Sequence, residues 1–347
     1  MSLPPVFRSN QVILLFILSV VVLYFGKPFF VPLTIAGILA MLFLPFCQWL
    51  ERKNLSRGLS AFTAVFSFLL LIAGIFMLLG WQISGLAEDM ADIQEQGGEL
   101  ISKVKTTISD KLGIPQAQQD AMMKEQQSSG GGKAGALVAG IMSGIMGLLV
   151  DTILVLVYMF LFLLLRLHLK KFVLKLVDTG HKKTAEKVMT ESAKAAGKYL
   201  SGLGLMIVML WVLYGIGFSI VGVKNGLFFA ILCGLLEIVP FVGNITGTGI
   251  TLIMALAQGG GTNMVIGVLI TYGVVQFLQT YVLEPLVVGA QVKLNPLFSI
   301  LAIVAGELIW GVPGMVVAIP VMGIGEIIFD HVNDLQPFGF LIGEDKK

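Results

Sequence analysis

Apolar residues gather in six long runs, covering approximately residues 11–25, 29–47, 59–81, 135–165, 200–223 and 264–283. A helix that crosses the hydrocarbon core of a bilayer needs about 20 predominantly apolar residues, and most of these runs meet that length. The first is short and must extend toward Phe7 or tilt. Only Arg8 precedes it, no small-x-small cleavage site follows, and a second apolar run begins almost at once, so it reads as a retained span and not a leader.

The last third breaks this rhythm. Gly226 to Val239 is largely apolar, the break Pro240-Phe241-Val242-Gly243-Asn244 follows, and a second arm ends near Ala257. At about 1.5 Å per residue the first arm is about 21 Å long, short of a core of about 30 Å. A similar break, Gly311-Val312-Pro313-Gly314, separates arms at 296–310 and 315–329. Proline removes a backbone donor and glycine relaxes the helix, so such backbone is tolerated at depth only where protein or a wet cavity satisfies it. The pattern predicts an all-α polytopic membrane protein with about six long spanning helices plus two re-entrant or broken helical hairpins, at 226–257 and 296–330. That makes about eight transmembrane segments. The alternative for each hairpin is a tightly turned pair of short, tilted full spans.

The polar stretches set the expected orientation. The loop Glu51 to Arg57 holds three basic residues and one acidic, and 166–198 holds nine basic against three acidic, so both are read as cytoplasmic. The segment 82–134 carries eight acidic and five basic residues and falls on the opposite side. The domain plan is therefore three spans in 1–81, an extracytoplasmic insertion at 82–134, a fourth span at 135–165, cytoplasmic basic helices at 166–198, a transport core at 199–335 and a cytoplasmic tail at 336–347. Within the insertion Leu86, Met90, Ile93, Leu100, Val104 and Ile108 recur at helical spacing. That stripe packs on its own domain, on the membrane face or on a neighbouring subunit. The basic stretch alternates charge with Phe172, Leu174, Val177 and Val188, as helices along an anionic lipid surface do. The whole reads as a multi-pass protein of the cell inner (plasma) membrane, both termini cytoplasmic, in contact with membrane lipids and assembled as a homo-oligomer.

Composition agrees with that reading. Hydrophobic residues make up 56% of the chain and charged residues 13%, against about 45–50% and about 25% in soluble domains. A net charge of +2, with the basic residues concentrated in two short loops, points away from nucleic acid. Cys47 and Cys233 stand far apart in apolar surroundings, which gives neither a disulfide framework nor a metal-ligand spacing. No cofactor is implied. All three histidines lie outside the apolar runs, and no His-Glu-x-x-His, Gly-x-Gly-Asp or Gly-x-Ser-x-Gly motif occurs, so an enzyme is not expected.

The chemistry-bearing residues collect around the two breaks. Shifted by 70 positions, 225–243 and 295–313 agree at Asn225/Asn295, Leu227/Leu297, Phe228/Phe298, Glu237/Glu307 and Val242/Val312. If both hairpins return to the side they enter from, the single span between them makes the C-terminal half an inverted repeat. Its hairpin tips then meet near the midplane, where transporters hold their solutes. Glu237 and Glu307 each precede a break by about a turn, and a carboxylate in hydrocarbon normally faces a protein interior or a wet cavity. Pro240, Gly243, Gly311 and Gly314 form the breaks. Asn244, Thr246 and Thr248 stand at the first tip, and Gln276, Gln279, Thr280 and Glu284 on the intervening span, with Asp151 a secondary candidate. Amides and hydroxyls suit a neutral polyol-like solute or a monovalent cation. They also bond helices to one another, a role that competes at every one of these positions.

At these residues the chain resembles a known group. Glu237-Ile-Val-Pro-Phe-Val-Gly243, Leu283-Glu-Pro-Leu-Val-Val-Gly289, Leu294-Asn-Pro296 and Gly306 through Gly311-Val-Pro-Gly314 to Ala318-Ile-Pro320 are similar to the autoinducer-2 exporter family of permeases. The resemblance implies a multi-span transporter exporting a small polar solute such as autoinducer-2, with sodium(lithium)/proton antiport an alternative, and the two opposed hairpins expected above suit alternating access. A passive oligomeric pore is the other alternative. The chain departs from the pattern at Tyr281 and Leu286, where many relatives have Asn and a basic residue.

Overall fold

The computed structural model describes residues 5–80, 133–239, 242–288 and 294–344. Nearly all of the insertion expected at 82–134 lies outside these residues, as does Pro240. Asp151 sits within a helix, but its side chain is outside the description. The helices are α1 (Pro5–Phe25), α2 (Lys27–Arg52), α3 (Arg57–Gly80), α4 (Lys133–Leu176), α5 (Lys182–Val221), α6 (Gly226–Leu236), α7 (Val242–Ala257) and α8 (Gly261–Leu278). The last of these continues as a π-helix over Gln279–Val288, followed by α9 (Pro296–Trp310), α10 (Val312–His331) and α11 (Gln336–Ile342). Among the described residues the only extended pairing is a single bridge between Leu294 and Gly343.

Among the described residues six stretches are long and apolar enough to cross a bilayer: Lys27–Arg52, Arg57–Gly80, Thr152–Leu176, Thr179–Val221, Gly261–Val287 and Val312–His331. Five of them overlap runs read from the sequence. The sixth is α10, expected as a hairpin arm, while Ile13–Phe25 falls among the shorter apolar helices. The length of α10 has a local cause. Pro313 occupies its first turn, where a missing N–H costs nothing, so the helix starts immediately after Gly311 and continues past Pro320. The basic stretch 166–198 is not a separate pair of helices. It forms the ends of α4 and α5, which meet across a turn at 177–181.

The helices pack into two clusters. In the first, Ala36, Ala40 and Cys47 of α2 meet Ala61 and Ala64 of α3 and Val155, Met159 and Leu163 of α4. Small residues let these helices approach closely, the main source of association where lipid is as apolar as the side chains. At one end Arg166 pairs with Glu51 and donates to the Cys47 sulfur at 3.3 Å. In the second cluster, Leu210, Tyr214 and Phe218 of α5 pack on Phe229, Ala230 and Cys233 of α6, Ala255 of α7 and Val268 and Val275 of α8.

Local signals explain where the second cluster turns. The α5 helix ends at Gly222, whose φ of +81° suits glycine, with the Val223 N–H bonded to the Phe218 carbonyl at 3.0 Å. The far end of α7 is tied back to this turn. The Gln258 side chain accepts from the Lys224 N–H at 3.0 Å and donates to the Lys224 carbonyl at 3.2 Å. The arms α6 and α7 therefore start and finish at one level, as a hairpin requires.

The arms α9 and α10 are joined by Gly311 alone, at φ +69°. Gly306 and Gly314 face each other so closely that a Cβ on either would strike the other's carbonyl. This hairpin packs through α10 on α5 and α2. The Trp310 indole donates to the Leu23 carbonyl of α1 at 2.9 Å, and the Asn295 N–H reaches the Ile342 carbonyl of α11 at 2.8 Å.

Candidate functional site

The α6 helix ends at Glu237, its C-cap residue, and α7 restarts at Val242. Gly243 is buried there, and a Cβ would fall on the Leu236 carbonyl, so only glycine lets the second arm leave at this angle. One residue on, Asn244 is 5% exposed. Its Nδ2 donates to Gln276 Oε1 on α8, while its Oδ1 accepts from the Tyr214 hydroxyl of α5 at 3.0 Å. Gln276 Nε2 donates onward to Thr280 Oγ1 at 3.1 Å. Beside this chain, Gln279 Nε2 donates to Glu237 Oε1 at 2.6 Å, and Asn244 is also within hydrogen-bonding reach of Glu237. One carboxylate, three amides and two hydroxyls from four elements thus form one network.

Two of the nearby polar atoms stay unmatched. Gln279 is 4% exposed, and its Oε1 has no hydrogen-bond partner; Thr248 Oγ1, one turn along α7 from Asn244, has none either. A buried polar atom left without a partner costs about 1–3 kcal/mol, so such atoms call for an explanation such as a bound molecule. Among the described residues no three His, Cys, Asp or Glu side chains converge. The chemistry on offer is that of oxygens and amides around one carboxylate.

The π-helical segment helps to position this site. Pro285 has no N–H, and its ring would clash with the carbonyl four residues back in an α-helix. The wider π turn over Gln279–Val288 accommodates it. Gln279 begins this segment and Thr280 follows, while Glu284 is exposed one turn on.

Of the residues chosen from sequence, the structure brings together Glu237, Asn244, Gln276, Gln279 and Thr280, with Gly243 supporting them. Thr246 is exposed, two positions from Asn244 and so on another face of α7. Glu307, Gly311 and Gly314 are not in the network. Glu307 is exposed on α9, and both glycines serve the tight crossing of the second hairpin. Among the described residues each hairpin packs on α5 and the polar network lies on the first, while the Pro240-Phe241 tip, and with it the expected meeting of the two tips, lies outside the description. Tyr214 is the participant that sequence reading missed. A tyrosine in the middle of an apolar span was the available signal, because its buried hydroxyl needs a partner.

Long apolar helices enclosing a polar network at a helix break define a multi-pass membrane protein of the transporter class. The chain belongs to the AI-2E family of transporters, whose family model matches residues 13–334. It is 25% identical over 316 residues to YrrI of Bacillus subtilis, covering 88% of this chain and 87% of that one. It is 23% identical over 323 residues to YueF of the same organism, covering 89% and 85%. Both carry the provisional name of transport protein. A shorter match, 34% identical over 108 residues and covering 30% of this chain and 29% of the other, is to a similarly named protein of Mycobacterium tuberculosis.

Proposed function

We propose that this chain carries a small hydroxyl-rich solute, of the autoinducer-2 type, across the cell membrane by alternating access, with Glu237, Asn244, Gln276 and Gln279 on the solute's path. One observation carries the reading: the half-buried Glu237 carboxylate and three amides, of which Asn244 and Gln279 are buried, gather around the break between α6 and α7, with the Gln279 and Thr248 oxygens unmatched. Amide and hydroxyl groups exchange hydrogen bonds with a polyol at little cost, and irregular backbone inside a membrane is tolerated where it lines such a path. Both termini face the cytoplasm, because the basic loop 51–57 and the basic ends of α4 and α5 stay inside.

The test is flux in sealed liposomes holding the purified chain, with a panel of small polyols that includes autoinducer-2. Asn244→Ala lowers flux at least tenfold while the protein stays inserted and folded. Unchanged flux removes the network from the path. Glu237→Gln keeps the shape and loses the titration. If the carboxylate couples transport to an ion, this variant loses the response of flux to an imposed proton or sodium gradient.

A further inference from the structure

Away from the polar network, α2, α4, α5 and α10 leave a cavity of about 760 Å³ between them. Ligand sites commonly run from about 300 to 1,000 Å³, with apolar walls and a few polar groups that fix orientation. Here the walls are apolar: Leu33 and Ile38 of α2, Phe162 of α4 and Ile324 of α10. Arg166 and Lys170 of α4 and Lys194 of α5 contribute three cations to the lining, Thr34, Gln48 and Thr190 add neutral polar groups, and no carboxylate lines the cavity. Arg166 is engaged by Glu51 and Lys170 by Glu186. Lys194 is exposed and has no ion pair among the described residues.

We propose that this cavity holds an acyl chain of an anionic phospholipid from the adjacent leaflet, with the phosphate against Lys194 and Lys170. A small polar solute gains nothing from these walls, and a neutral lipid leaves Lys194 unmatched. An anionic diacyl lipid matches both parts. It also spans the boundary between the cluster built on α2 and α4 and the one built on α5, so its binding ties the two together. The assignment is independent of the solute and of the path proposed above.

The test uses the delipidated full chain in detergent, with thermal unfolding and native mass spectrometry as readouts and phosphatidylglycerol or phosphatidylcholine as probes. Phosphatidylglycerol is expected to raise the melting temperature saturably and to remain bound, and phosphatidylcholine is not. Anionic lipid binding gains about 1 kcal/mol per basic residue near the headgroup, so Lys194→Gln weakens phosphatidylglycerol about fivefold. Gly37 lines the cavity, and a Cβ there meets only the Phe162 ring edge, at 3.8 Å. Gly37→Leu therefore fills the space and abolishes the lipid-induced shift, while the melting temperature without lipid does not fall. If Gly37→Leu folds poorly, Lys194→Gln decides alone. Equal shifts from the two lipids, an unchanged affinity in Lys194→Gln, or the same shift from glycerol phosphate without acyl chains overturns the assignment.

Discussion

The two packed clusters are built from the same kind of apolar helix but differ in what they bury. The cluster of α2, α3 and α4 is closed by alanines, Met159 and Leu163, and its ionic groups, Arg166 and Glu51, sit at one end. The cluster of α5 to α8 buries Asn244, Thr248 and Thr251 on α7, Thr271 on α8 and Gln279 on the π-helical segment. Hydrocarbon favours the first arrangement everywhere, because each polar group taken into the membrane must find a partner or lose several kcal/mol. The first cluster buries Ser60 of α3 as well, but the polar groups concentrate in the second, and in the function proposed above that bundle handles the solute while the first supports it.

Substitutions can break that contrast. Met159→Ala should have the largest effect on stability, about 3 kcal/mol for a long buried side chain removed from an apolar interior. Flux per folded molecule should stay at the wild-type level. Thermal unfolding together with liposome flux checks it, and a loss of flux per folded molecule would mean that the first cluster is more than a support. Asn244→Ala should cost about 2 kcal/mol, because the Tyr214 hydroxyl and the Gln276 amide lose their partner. Here flux should fall much further than stability.

Tyr214→Phe deletes one donor and leaves Asn244 Oδ1 unmatched, for about 1 kcal/mol in the same melting measurement. Flux should fall less than in Asn244→Ala, since the amides remain. The smallest effect belongs to the exposed pair of Lys187 and Glu191, 3.8 Å apart at i, i+4. Lys187→Gln should change stability by about 0.3 kcal/mol and leave flux unaltered. A larger shift would show that the end of α5 carries more than a solvated face.

Much of this was legible in the chain, and the misses have physical causes. The spans and the helix break after Glu237 follow from hydrophobic length and Pro/Gly chemistry. Tyr214 did not, because an aromatic in an apolar run packs the same way whether or not its hydroxyl is used. Glu307 mirrors Glu237 in sequence but lies exposed on α9, since a 70-residue echo says nothing about which face each helix turns inward. The length of α10 was hidden by Pro313, which reads as a breaker yet serves as a helix start. The π-helical turn around Pro285 had no local signature beyond the proline itself.

The Gln258 amide grips Lys224 by its main chain alone, giving to the carbonyl and taking from the N–H, much as one base reads another. The lysine could therefore be exchanged for almost any residue except proline, whereas its partner could not. Glutamate lacks the donor, lysine lacks the acceptor, and asparagine is one methylene too short. In a saturation scan, position 258 should stand out as intolerant beside a permissive 224, the reverse of what the charge on Lys224 would lead one to expect.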